Sequence, residues 1–457
     1  MHVFGSSGVR GVAGEELTPR YVLRVAQAAG SVWTDEYDRV AIARDTRTSG
    51  RTFVNAATSG LTGVGFDVDR LGIAPTPGLQ AYCDREGIPG VMITASHNPP
   101  AYNGVKLVGA DGVELTRETL DRVEVALSGD VEQAAWDGVG EDRPVESARR
   151  TYREAVVDAV DRERIADADL TVVVDPGHGA GCLTSPDLFR ELGCTVHTVN
   201  AQPDGHFPGR NPEPVAANLR DLRAYVEATD ADLGIAHDGD ADRAMFVDGT
   251  GDHVEGDAAL AALAAAELDA GEGVVSAVNA SQRLVDAVNA ADARLSLTPI
   301  GSTHIVSRIR ELEAEGTHVS VAGEGNGGIL FPDYRIARDG AYTAARFCEL
   351  VAETPARELV APYDEYYNVR RNLTVEDEAQ REAMLAGIEA HAEAAVADLD
   401  TTDGWRLDYG DGWVLARPSG TEPVVRVYAE ARSPERAEEL AAQMVDAATN
   451  QTAANDA

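Results

Sequence analysis

Val91-Met-Ile-Thr94 runs straight into Ala95-Ser-His-Asn-Pro-Pro-Ala-Tyr-Asn-Gly-Val-Lys106. The first four residues have the length and apolar character of a short buried strand, and the residues after them carry turn chemistry. A buried strand that ends in a polar loop is what a parallel α/β sheet presents, because ligands there bind beyond the carboxyl ends of the strands. The loop also holds an anomaly of composition. The chain has 39 Lys plus Arg, and Lys106 is its one lysine. Lysine is ordinarily among the commonest residues. Arginine is always charged, whereas lysine can be tuned to give and take a proton. Ser96, with His97 beside it and Lys106 ten positions on, therefore predicts a nucleophile with an acid/base partner.

Working outward, strand-like and helix-like segments alternate on both sides of this stretch. Thr18-Pro19 reads as a helix start before an apolar-periodic run over 21–33. A strand is expected over 39–43, and a helix from the Asp45-Thr-Arg-Thr-Ser49 turn through 61. The pattern weakens over 136–149 and restarts with a strand over 170–174, the loop Asp175-Pro-Gly-His-Gly-Ala-Gly181, a helix over 185–192 and a strand over 195–199. A Pro- and Gly-rich loop over 203–214 precedes a strand over 232–236. A third series has strands over 273–278 and 319–322. From about 364 the strands over 366–373, 405–409, 413–417 and 424–430 surround a helical stretch over 376–397, with a last helix from Ser433. The expected architecture is α/β: three related α/β domains (1–148, 149–250 and 251–364) and a smaller C-terminal α+β domain (365–457), around a central cleft. A chain of 457 residues calls for about three or four domains in any case.

Composition narrows the function classes. The formal charge is −38, spread along the chain, which disfavours nucleic acid as a partner and fits a high-salt cytoplasm where ions screen self-repulsion. No run of about 18 apolar residues exists to span a membrane. The N-terminal residues lack the basic and apolar regions of a signal peptide. Cys83, Cys182, Cys194 and Cys348 show no metal or redox spacing and are expected to be reduced. A cytoplasmic location is expected; the oligomeric state is not legible.

Four further stretches carry chemistry. Asp238, Asp240 and Asp242 alternate with small residues at a strand end and can converge on a hard cation such as Mg²⁺. A calcium loop begins the same way but needs Gly and Glu at its sixth and twelfth positions, where this chain has Arg243 and Gly249. A serine hydroxyl next to a divalent cation suggests a phosphoryl carrier. Arg417-Pro-Ser-Gly-Thr-Glu-Pro423, followed by Arg426, fits a phosphate clamp in which Arg417, Ser419, Gly420 and Thr421 surround a dianion. Phe4-Gly-Ser-Ser-Gly-Val-Arg-Gly11 offers a second anion loop with Arg10, and Glu324 and Asn326 can bind sugar hydroxyls.

Together with Arg44-Asp-Thr-Arg-Thr-Ser-Gly50, these stretches resemble, in order and across essentially the whole chain, the α-D-phosphohexomutases. That family includes phosphoglucomutase/phosphomannomutase and phosphoglucosamine mutase. The resemblance implies four domains, each giving one loop to a central cleft. It implies that Ser96 is the phosphorylated residue, with one Mg²⁺ held between it and Asp238, Asp240 and Asp242. Lys106 and Arg10 match positions of proton transfer and phosphate stabilisation, His97 a supporting one, and Arg243 a substrate contact. The Arg417 loop would hold the distal phosphate and the Glu324 loop the sugar. One departure stands out. Bacterial phosphomannomutase-like members carry Ser and His where this chain has Asn326 and Gly328, and His304 in Gly301-Ser-Thr-His304 is the candidate replacement. The Gly-Glu-x-Asn-Gly-Gly form is similar to archaeal members. The expected reaction interconverts hexose 6-phosphate and hexose 1-phosphate through a hexose 1,6-bisphosphate, with glucosamine phosphate favoured over mannose or glucose phosphate. A phosphosugar phosphatase and a non-catalytic sugar-phosphate sensor are the other classes.

Overall fold

The computed structural model describes residues 4–5, 8–419 and 423–455. Four sheets follow one another along the chain. The first three are built to one plan. In the first, Arg39–Arg44 pairs in parallel with Asp67–Ile73 on one side and with Gly90–Ile93 on the other. Gly90–Ile93 then pairs antiparallel with Tyr102–Val108. The second repeats this with Thr171–Asp175 flanked in parallel by Thr195–Thr198 and Leu233–Ala236, and Leu233–Ala236 antiparallel to Met245–Asp248. The third does so with Gly273–Ala277, flanked by Arg294–Thr298 and Val319–Glu324, the latter antiparallel to Gly328–Phe331. In each unit the parallel strand that leads into the antiparallel one is buried along its whole length. It ends in a short polar loop and returns as an antiparallel neighbour. At those three strand ends stand Ser96, the aspartates and Glu324.

The chemistry of the elements follows the sequence closely. Thr18 caps the helix Pro19–Trp33 by accepting a hydrogen bond from the Tyr21 N–H at 3.3 Å, with proline in the first turn. The fourth sheet is wholly antiparallel, in the order Tyr367–Thr374, Val424–Ala431, Gly412–Pro418, Trp405–Asp408, Asp398–Asp400. The helices Glu378–Ala394 and Pro434–Asn455 cover one of its faces. Three α/β units and one C-terminal α+β unit is therefore the observed fold. One continuous apolar core passes from Tyr152 through Phe246 and Phe347 to Val360, so the second and third units pack on each other through it. The four cysteines are free, and no described helix is long and apolar enough to cross a membrane.

The antiparallel return strands of the three α/β units are not among the strands expected from the sequence. In the sequence, Asn103-Gly104 is a turn dipeptide and predicts a turn where the strand Tyr102–Val108 lies. Instead Asn103 is fully buried: its Nδ2 donates to Ser49 Oγ at 2.9 Å and its Oδ1 accepts the Gly104 N–H at 2.8 Å. Lys106 accordingly stands on a strand, directly opposite Met92, and not in a loop.

Candidate active site

The Ser96 loop is held in shape by a second loop from the same unit. Arg47, fully buried, donates to the carbonyls of Ser96 (2.8 Å), Asn98 (2.7 Å), Pro99 (2.7 Å) and Tyr102 (2.9 Å), and its Nε to Asp45 Oδ2 (2.9 Å). Asp45 in turn accepts from Thr94 Oγ1 at 2.7 Å, and the Ser96 N–H donates to that same hydroxyl oxygen at 2.9 Å. Ser96 itself adopts φ = 52°, a left-handed conformation that a non-glycine residue keeps only where its surroundings enforce it. Phe207, from the Pro-rich loop of the second unit, lies against the Arg47 guanidinium at 5.2 Å. The consequence is a Ser96 hydroxyl fixed in direction.

That direction is toward the aspartate loop. Ser96 Oγ donates to Asp238 Oδ2 at 2.6 Å. The backbones meet as closely: a Cβ at Gly239 would lie 2.6 Å from the Ser96 carbonyl oxygen, so only glycine permits the approach. Thr76 of the first unit donates its hydroxyl to Asp240 Oδ2 at 2.5 Å and its N–H to the Asp240 carbonyl at 2.9 Å. Lys106 Nζ bonds Asp240 Oδ2 at 2.9 Å and Asp242 Oδ2 at 3.0 Å, while Arg243 Nε stands 3.7 Å from Asp238 and 3.8 Å from Asp242. The third unit joins the same loop: the Ala244 N–H donates to the Gly327 carbonyl and the Gly340 N–H to the Ala241 carbonyl.

Every Oδ2 of the three aspartates is engaged, and every Oδ1 is buried without a hydrogen-bond partner among the described residues. Buried polar atoms are rarely left so. Ligand atoms of the three residues lie within 4.8 Å of one another. Three orphaned carboxylate oxygens with a hydroxyl alongside form an all-oxygen donor set, which suits a hard divalent cation such as Mg²⁺. Without that cation the group divides its charge unequally. Burial, then Asp242 and Asp240, pushes the Asp238 carboxyl up to about 8. Burial also opposes charge on Asp242, but Arg338, Lys106 and Arg243 outweigh it and hold that carboxyl well below its usual range. Burial works against the Lys106 ammonium as well, yet Asp240 and Asp242 overcome it and keep the lysine charged. His97 is held neutral, its pKa pushed down to about 2 by Arg243, burial and Arg10, and its Nδ1 lies 3.4 Å from Ser96 Oγ.

The structure thus gathers Ser96, His97, Lys106, Asp238, Asp240, Asp242 and Arg243 at one point. Arg10 reaches it by donating to Asn98 Oδ1 at 2.7 Å. Glu324 and Asn326 adjoin through the Gly327 contact, with Asn326 Nδ2 3.4 Å from Glu324 Oε2. Arg417 and Arg426 stand opposite each other on neighbouring strands of the fourth sheet. Their unit meets the third through Asp403, which accepts from the Ile300 N–H at 3.0 Å and pairs with Arg417 Nε at 3.0 Å, so the Arg417 and Gly301 loops are neighbours. Ser419 closes the Arg417 loop by donating its N–H to Val424 O, and Gly420 and Thr421 lie outside the described residues. His304 is on the first turn of helix Ser302–Ala314 with its side chain exposed. Sequence reasoning missed Asp45 and Arg47 as site residues, though their stretch was singled out. It also missed Thr76 and Arg338, for which no local signal exists.

Comparison with known proteins agrees with this geometry. Models of phosphoglucomutase/phosphomannomutase domains match in order: α/β/α domain I at residues 1–133, domain II at 150–251, domain III at 250–366 and the C-terminal domain at 371–447. A Thermococcus kodakarensis protein named phosphoglucomutase/phosphomannomutase is 43% identical over 448 residues, covering 96% of each chain. A Methanopyrus kandleri protein named probable phosphoglucosamine mutase is 42% identical over 452 residues, covering 97% of each. A crystal structure of a phosphoglucomutase/phosphomannomutase family protein from Burkholderia thailandensis superposes with a TM-score of 0.85 at 28% identity, covering 98% of both chains. The chain belongs to the phosphoglucomutase/phosphomannomutase family, the α-D-phosphohexomutases, and is an isomerase of that family.

Proposed function

We propose that the protein interconverts hexose 6-phosphate and hexose 1-phosphate by way of phospho-Ser96, with glucosamine phosphate the preferred substrate. The observation that carries this reading is the Ser96 hydroxyl, fixed at 2.6 Å from Asp238 beside three unpartnered carboxylate oxygens. In the forward half-reaction the P–O bond to Ser96 Oγ breaks as a P–O bond to the free sugar hydroxyl forms. The hydroxyl proton leaves to a nearby base, and Oγ regains a proton. The bisphosphate then turns round in the cleft, and its other phosphoryl group returns to Ser96 by the same bond changes reversed. A bound Mg²⁺ would supply electrostatic stabilisation of the phosphoryl oxygens. Asp238, Asp240 and Asp242 would hold it through Oδ1.

The remaining groups have distinct parts. Lys106, kept protonated by two carboxylates, is the group that gives a proton to Oγ and takes one from the sugar hydroxyl; its ion pairs with Asp240 and Asp242 support this reading. Neutral His97 can donate its Nδ1–H to the Ser96 oxygen, whose own proton goes to Asp238, and so helps to orient it. Arg10 and Arg243 bring fixed positive charge to the transferring group. Glu324 and Asn326 suit sugar hydroxyls, and the Arg417 loop must grip whichever phosphate is distal. Because relatives named for phosphoglucosamine and for phosphoglucose/phosphomannose are almost equally similar, mannose or glucose phosphate is the second reading. A coupled assay at low and at molar salt with the 6-phosphates of glucosamine, mannose and glucose tests both. The highest kcat/KM is expected for glucosamine 6-phosphate. A preference for mannose or glucose would install the second reading, and release of phosphate without isomerisation would overturn both.

A further inference from the structure

Position 328 has no side chain, and the reason is visible one strand away. A Cβ at Gly328 would lie 2.6 Å from Cδ of Arg338 and 3.3 Å from its terminal nitrogen. Arg338 sits at the end of Arg335–Arg338, opposite Leu330, and its side chain passes over the glycine. It is buried, with 7% of its surface exposed. Its guanidinium bonds Asp242 Oδ2 at 3.0 Å and stands 3.8 Å from Glu114 Oε1. Glu114 Oε2 accepts from Ser302 Oγ at 2.6 Å, beside the Gly301 loop. One arginine therefore joins all three α/β units at the point where their loops meet.

The charge count gives that contact a purpose. Lys106 and Arg338 both bond the same oxygen, Asp242 Oδ2, and leave Oδ1 with no hydrogen bond among the described residues, its charged neighbour there being Arg243 Nε at 3.8 Å. Two cations on one oxygen fix the rotation of the carboxylate. We propose that Arg338, admitted by Gly328, is a positioning residue that turns Asp242 Oδ1 toward the cation position and restrains its affinity for the ion. This rests on the reading of the three aspartates as metal ligands. Lys106, Arg243 and Arg338, with Arg10 beside them, offset the charge of the carboxylates, so the ion arrives at a site without excess negative charge.

Mn²⁺ binding, followed by electron paramagnetic resonance on the intact protein, tests this apart from turnover. Arg338→Gln should bind Mn²⁺ about tenfold more tightly, since a charge a few ångströms from the ion is removed, while kcat falls about tenfold with KM little changed. Arg338→Lys, which keeps the charge, should bind Mn²⁺ as the wild type does and recover part of kcat. Gly328→Ala should push Arg338 aside and shift affinity and kcat in the same opposite directions as Arg338→Gln. Affinity falling together with kcat and Tm would mark a merely structural role and overturn the proposal. So would unchanged affinity in Arg338→Gln. Failure of the wild type to bind Mn²⁺ would overturn the metal reading itself, and this proposal with it.

Discussion

Removing the charge of Lys106 should destabilise the metal-free protein and make its stability depend on Mg²⁺. The ammonium is 4% exposed and bonds Asp240 and Asp242 at 2.9 and 3.0 Å. Breaking a buried pair by deleting one partner costs about 3–5 kcal/mol, because an uncompensated charge stays behind. Lys106→Met keeps the length and apolar stem of the side chain, so the loss is electrostatic and not a cavity. Here two carboxylates lose a shared partner, which favours the upper half of that range. A divalent cation can replace the missing charge, and a ligand at one hundred times its dissociation constant stabilises by about 2.7 kcal/mol. Urea denaturation followed by tryptophan fluorescence, with and without MgCl₂, should show Lys106→Met weakened by several kcal/mol without the ion. The gain on adding it should exceed that of the wild type. Turnover should fall by about 10²–10⁴ as the proton donor is lost. Equal metal-free stability, or turnover within a few-fold of wild type, would refute this account of Lys106.

Gly239→Ala should separate the two loops, since its Cβ falls 2.6 Å from the Ser96 carbonyl; an ångström-scale displacement predicts a kcat/KM loss of about 10²-fold with the far-ultraviolet circular dichroism unchanged. Glu430 is fully buried and accepts from Ser281 Oγ, the Gln282 N–H, Asn368 Nδ2 and Trp413 Nε1 at 2.6–3.1 Å while pairing with Arg283 at 3.2 Å. Glu430→Ala should cost about 3–5 kcal/mol and loosen the fourth unit from the third, seen as faster hydrogen exchange at 281–283 and 366–368. Asp238 has a folded-state pKa raised from 3.8 to about 8 when no cation is bound. Its contribution to metal-free stability is therefore full below pH 3.8 and is lost as pH rises through about 8. Mg²⁺ affinity should accordingly increase up to about pH 8 and level off above, and calorimetry in buffers of different ionisation enthalpy should detect proton release at pH 7 but not at pH 9.

Loops at strand ends were the legible part of the sequence, because their signals are local. An apolar tetrapeptide before Ser96, alternating aspartates, and glycines at 323–328 each announce a strand followed by a tight polar turn. The single lysine was legible by contrast alone. What was not legible depended on partners far along the chain. Tyr102–Val108 is a strand because Gly90–Ile93 and Val9–Val12 bracket it, which overrides its Asn-Gly turn signal. Thr76 bonds a residue 164 positions away and Arg338 one 96 positions away, and neither carries a local mark. The departure at 326–328 could be seen in the sequence, but its structural counterpart could not. The space over Gly328 is filled by Arg338, from the next strand but one after the loop, whereas His304 points to solvent.

The central claim is that Ser96 carries the phosphoryl group through the reaction. Intact mass and peptide mapping of the protein after incubation with a hexose 1,6-bisphosphate and Mg²⁺ test it most directly. The account predicts one added phosphoryl group, located on Ser96, discharged on adding hexose monophosphate and absent from Ser96→Ala. Full isomerase activity in Ser96→Ala, or a phosphoryl group mapped to another residue, would contradict it.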